Sequence, residues 1–122
     1  MGFLDPIRRV FSRMAETDEQ RYADEIQTWS ATIPGTVRIR DATTRSRVKV
    51  AGVVRRITVR PLEGSESLEA LIDDGTGEVN VVWMGRRSIP GVNLGTRLVV
   101  EGVLGEQRSE RRLVNPKFEF SG

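Results

Sequence analysis

The run Asp73-Asp74-Gly75-Thr76-Gly77 constrains this chain more than any other feature. It separates Leu68-Glu69-Ala70-Leu71-Ile72 from Glu78-Val79-Asn80-Val81-Val82-Trp83-Met84. An Asp-Gly pair between two apolar-alternating runs is the strongest short-range hairpin signal a sequence carries. Gly supplies the positive φ of a tight turn, and the second Gly suits a bulge that adds twist. Asp73 and Asp74 read as turn formers rather than metal ligands, because Asp bonds its own backbone in tight turns.

Strand-like patterning continues on both sides. Val37-Arg38-Ile39-Arg40 alternates, and Arg47 to Arg60 reads as one long strand with Gly52 inside it. A strand-interior Gly marks a bulge or a barrel corner. Pro61 cannot donate to a ladder, which predicts the end of that strand. Thr96 to Leu104 is another strand with an internal Gly, and Gly105 to Arg111 reads as a polar turn. Arg112-Leu113-Val114 and Lys117-Phe118-Glu119-Phe120 make a last strand interrupted at Asn115-Pro116. Five strands with two internal glycines favour a small closed barrel over a sandwich, which needs about seven.

Before Val37 the period is helical. Phe3, Leu4, Ile7, Val10, Phe11 and Met14 form one apolar stripe, with Asp5-Pro6 as a plausible start. Thr17-Asp18-Glu19-Gln20 resembles a capping box, predicting a second helical stretch with Tyr22, Ile26 and Trp29 on its buried face. Pro34-Gly35 ends it. The stripe can pack on the barrel, dock a protein partner or a second copy, or lie on an anionic membrane through Arg8, Arg9 and Arg13. The expected organisation is an N-terminal helical extension over 1–35 and a barrel domain over 36–122.

Composition removes most chemistry. The 122 residues contain neither Cys nor His. That excludes disulfides, thiolate metal sites, a His general base and a Ser-His-Asp triad. No metal or cofactor is implied. No Gly-x-x-x-x-Gly-Lys-Ser/Thr loop is present for ATP hydrolysis. No apolar run reaches a membrane span and no secretory signal is seen, so a cytoplasmic, non-enzymatic protein is expected. The net charge is only +2, but all except two of the nineteen basic residues are Arg, and they cluster. Arg favours phosphate forks and base stacking; a GC-rich genome also writes Arg for Lys.

From Gly52 onward the chain resembles the OB-fold nucleic-acid-binding family. The carrying residues are Gly52-Val53-Val54, Ala70-Leu71-Ile72-Asp73-Asp74-Gly75-Thr76-Gly77-Glu78-Val79, Gly95, Val100-Glu101-Gly102 and Asn115-Pro116-Lys117-Phe118-Glu119. The likeness extends to the wedge domain of the branched-DNA helicase RecG, to OB modules of the tRNA-anticodon type and to small stand-alone OB proteins of actinobacteria. It implies an all-β, five-stranded OB-type barrel. It also implies single-stranded or branched DNA, or RNA, as ligand, in DNA repair, recombination or RNA handling. OB barrels also bind oligosaccharides and proteins, so a protein-interaction barrel working through its surface or N-terminal helix is the alternative.

An OB groove crosses strands 2 and 3 and is flanked by the 1–2 and 4–5 loops, here Arg60 to Ser67 and Gly105 to Arg111. The candidate nucleic-acid-binding residues are Arg55, Arg56, Arg60, Arg86, Arg87, Arg108, Arg111, Arg112 and Trp83. The competing reading is a solvated rim on which Glu63, Glu66, Glu106 and Glu110 cancel the charge. Trp83 shares parity with Val79 and Val81, which places it in the core unless it serves as a stacking platform. Phe118 and Phe120 share a face and are expected in the core. Asn80, Val82 and Met84 would face outward.

Overall fold

The structure, a computed structural model, describes residues 5–62 and 64–121; side-chain detail runs from Thr17 onward, Leu62 excepted. A helix, α1 (Asp5–Ala31), precedes seven strands: β1 (Arg47–Leu62), β2 (Ser65–Asp73), β3 (Glu78–Met84), β4 (Arg97–Val103), β5 (Gly105–Gln107), β6 (Glu110–Val114) and β7 (Lys117–Phe120). The sheet order is β5-β6-β3-β2-β1-β4-β7.

The hydrogen-bonded order runs open from β5 to β7, and one segment curls it round. β6 pairs parallel with β3, β7 pairs antiparallel with β4, and the two are joined through Asn115-Pro116. One kinked segment therefore covers both lateral edges of the β3-β2-β1-β4 ribbon. Val50, Val54, Ile72, Val81, Leu98 and Leu113 fill the interior. The architecture is all-β with a helical extension, as expected, but with seven strands rather than five.

Of the two additional strands, β5 lies where a polar turn was expected, and the other arises because the expected last strand divides into β6 and β7. Gly105 to Arg111 instead folds as most of the β5–β6 hairpin, with Gln107 opposite Glu110 and both Arg108 (φ 54) and Ser109 (φ 66) left-handed. The Asn-Gly signature of such a turn is absent, so nothing local announced it. Pro61 does not end β1; it pairs opposite Glu66. β1 has left β4 by that point, so the missing N–H falls on a free edge.

β1 serves two partners. Arg47 to Val53 pair with β4, and Val53 to Leu62 with β2. At Gly52 the strands approach so closely that a Cβ would lie 2.4 Å from Ile72 Cγ2 and 2.9 Å from the Asp73 carbonyl oxygen. The register with β2 then skips Arg55, a bulge between Val54 and Arg56. Before it, Val48, Val50 and Val54 face the core; after it, Ile57 does. One extra residue exchanges inside for outside. The bulge is what turns Arg56 and Arg60 outward.

Val37-Arg38-Ile39-Arg40 is not a strand. Ile39–Asp41 is a 3-10 turn, because the Ile39 N–H donates to Asp74 Oδ2 at 2.8 Å instead of to a ladder. Asp74, 1% exposed, also accepts through Oδ1 from the backbone N–H groups of Thr76 (2.8 Å) and Gly77 (3.2 Å) and from the Thr76 hydroxyl (2.6 Å). The β2–β3 turn thus ties down a segment 35 residues upstream. It also meets the helix: Gly75 has φ +87, and a Cβ there would sit 2.4 Å from the Ala23 carbonyl oxygen.

α1 is a single helix; the capping-box residues lie inside it. Met14-Ala15-Glu16 are good helix formers, and nothing between Ser12 and Thr17 breaks the chain. Ile26 and Ser30 are buried where α1 packs on β1, and Ala51, Val53 and Val99 are buried with core-opposite parity beneath it. Tyr22 and Trp29 instead receive the guanidinium groups of Arg55 (5.3 Å to the ring centre) and Arg97 (4.9 Å). The expected stripe from Phe3 to Met14 lies outside the described side chains.

Candidate nucleic-acid interface

The outer face of β2 and β3 forms the floor of a groove. β1 beyond its bulge makes one wall and the β5–β6 hairpin the other. Arg60, Arg108 and Arg112 line it, and Arg56 stands over its adjoining end beside Arg60. Each reaches the groove through a different device. The bulge orients Arg56 and Arg60, the left-handed turn carries Arg108, and the parallel pairing of Asn80 with Arg112 brings β6 alongside β3.

The charges in the groove are not equivalent. Arg60 Nε lies 2.7 Å from Glu69 Oε2. Arg112 Nη1 donates to Gln107 Oε1. Arg56 and Arg108 form no ion pair with a described residue. These two are the cations most available to phosphate. Glu69 is 8% exposed and Asn80 7%, and Asn80 Nδ2 donates to Glu69 Oε1 at 2.6 Å. Met84 is exposed at the groove's end, whereas Val82 faces outward but is buried.

The other predicted residues stand elsewhere. Arg55 covers Tyr22 on the helix side. Arg86 is exposed in the loop after β3, and Arg87 Nε lies 2.8 Å from Glu66 Oε2 without hydrogen-bond alignment. Arg111 donates to the carbonyls of Ile39 and Arg40, fastening β6 to the 3-10 turn. Trp83 is 4% exposed, its ring edge-on to Phe118 at 5.4 Å. Phe118 and Phe120, expected in the core, are 37% and 51% exposed, because β7 is an outer strand of the sheet. The sequence reading missed Glu69 and Gln107 in the groove: Glu69 sits in an ordinary alternating strand, and Gln107 belongs to the hairpin that carried no turn signature.

A larger hollow of about 650 Å³ lies around Arg47, Glu101 and Lys117. Arg47 is countered there: its Nε donates to Glu101 Oε2 at 2.8 Å, and this bond foremost holds the Glu101 carboxyl below its ordinary range. Among the described residues no group of three or more acidic, His or Cys side chains could hold a metal, and no helix is long and apolar enough to cross a membrane.

No protein-family model matches the chain, and no curated protein matches it. Solved structures do. One is a structure of RecG bound to a three-way DNA junction, at 14% identity and a TM-score of 0.61, covering 70% of this chain and 12% of that one. Another is a replication protein A heterotrimer bound to ssDNA, at 17% identity and a TM-score of 0.50, covering 62% of this chain and 57% of that one. The chain therefore spans only part of each. At these identities the likeness is one of architecture, and with the curl of β6 and β7 it defines the class: this chain has the OB fold.

Proposed function

We propose that this chain is a nucleic-acid-binding OB-fold protein that holds single-stranded or branched DNA, or RNA, in the groove across β2 and β3 and does no chemistry on it. The carrying observation is the convergence of Arg56, Arg60, Arg108 and Arg112 on that one groove. The DNA-bound state of both structural neighbours supports the reading, as does the absence of His and Cys from the chain. On this reading it is a cytoplasmic accessory to DNA repair or recombination, or to RNA handling.

The test is binding of labelled single-stranded and forked DNA, and of RNA, across a salt series. Each phosphate neutralised on a single strand contributes about −0.7 to the slope of log K against log salt. With Arg56, Arg108 and Arg112 engaged, the slope is expected near about −2. Arg56→Ala or Arg108→Ala each makes it shallower by about 0.7. No binding at low salt, or binding indifferent to salt, overturns the proposal.

A second reading, a protein-interaction barrel, is favoured by the exposure of Phe118 and Phe120. It predicts that Phe120→Ser loses a co-purifying partner while nucleic-acid affinity is unchanged.

A further inference from the structure

From the groove floor we infer that binding is base-selective, read by two amides of fixed polarity, Asn80 and Gln107. This rests on the nucleic-acid reading above. Sequence-tolerant single-strand binders stack successive bases on aromatic side chains. Among the described residues, no aromatic side chain lines this groove. Its floor and wall carry hydrogen-bonding groups instead, and these discriminate between bases where stacking does not.

An amide in solution presents either end to a ligand. Here each is held by a partner that admits one orientation. Asn80 Nδ2 donates to Glu69 at 2.6 Å, and a carboxylate only accepts. Asn80 Oδ1 takes no hydrogen bond from a described residue; it is left as an acceptor, with the second Nδ2 proton beside it. Gln107 Oε1 accepts from Arg112 Nη1, and a guanidinium only donates. Gln107 therefore turns its Nε2 donor away from Arg112. Both residues line the same groove, so a base entering it meets an acceptor at one place and a donor at another. Glu69 is a positioning residue: Arg60 Nε at 2.7 Å and Asn80 hold its two oxygens.

The experiment measures affinity for oligo-dA, oligo-dC and oligo-dT of equal length at one salt concentration. A good amide–base pair discriminates by about 5- to 150-fold, so wild-type affinities are expected to spread by at least about fivefold. Asn80→Ala and, separately, Gln107→Ala compress that spread toward unity by weakening the tightest-bound homopolymer most. Glu69→Gln removes a negative charge and the polarity lock, so it tightens binding to all three and narrows the spread. Arg108→Ala weakens all three alike. Gln107 is exposed on a hairpin, so its variant stays informative if Asn80→Ala fails to fold. Equal wild-type affinities overturn the inference and leave the binding function standing. Variants that weaken every homopolymer equally also overturn it. Absence of binding to all three, to forked DNA and to RNA overturns the function itself, and the inference with it.

Discussion

Asp74 carries the largest structural role of any single side chain in the β2–β3 turn. It is buried and satisfies four donors, one of them the Ile39 N–H from outside the hairpin. Asp74→Ala leaves those donors without their acceptor and is expected to cost about 2–4 kcal/mol in urea unfolding. Asp74→Asn keeps one acceptor oxygen and is expected to cost about half as much. Gly75→Ala combines a left-handed backbone with a clash against the Ala23 carbonyl, so it strains the turn and the helix contact together. Glu101 gives a pH signature. Its carboxyl is held below the ordinary range first by the Arg47 hydrogen bond, with the charges of Arg47, Lys117 and Lys49 adding to it and burial opposing it. A depressed folded-state value means the contribution is fully present above the unfolded value of about 4.3 and is lost as pH falls through the folded value. The melting-temperature difference between wild type and Glu101→Gln is therefore expected to be constant near neutrality and to vanish in strong acid.

The β1 bulge and the β5–β6 hairpin build the groove, and both were hard to read from the sequence. Alternation marked β1, and Gly52 pointed to a bend, but the skipped residue is Arg55, and no residue type demands a bulge there. The hairpin places Arg108 and Ser109 in left-handed backbone conformations, each of which costs roughly 1–2 kcal/mol relative to a residue suited to it. Replacing Arg108→Asn together with Ser109→Gly supplies the preferred turn chemistry. The double variant is expected to be more stable by about 1–2 kcal/mol in thermal or urea unfolding and to bind nucleic acid more weakly. Strain retained at a groove residue is what a functional position looks like. The β2–β3 hairpin and the break at Asn115-Pro116 were legible because turn residues act locally. The partners of Arg111, Glu69 and Gln107 were not, because they depend on which strands come together.

At the scale of the molecule, α1 completes the barrel's second face. Ile26→Ala is expected to cost about 2–4 kcal/mol, because Ile26 lies where α1 packs on β1, over Ala51, Val53 and Val99. The groove draws on β2, β3 and the β5–β6 hairpin, so affinity for single-stranded DNA is expected to stay within about twofold in the same variant. Hairpin closures such as β1–β2 and β2–β3 are local, but the seam is not: β3 pairs with β6 across about thirty residues and β1 with β4 across up to 56. Non-local pairings form late in folding. Because residues 110–120 cover both lateral edges at once, a chain still on the ribosome keeps β3 and β4 unpaired on their outer sides until that segment has emerged. A pause that holds residues 110–120 inside the ribosome after β4 has emerged leaves two open strand edges exposed together, the situation in which a nascent chain most needs a chaperone.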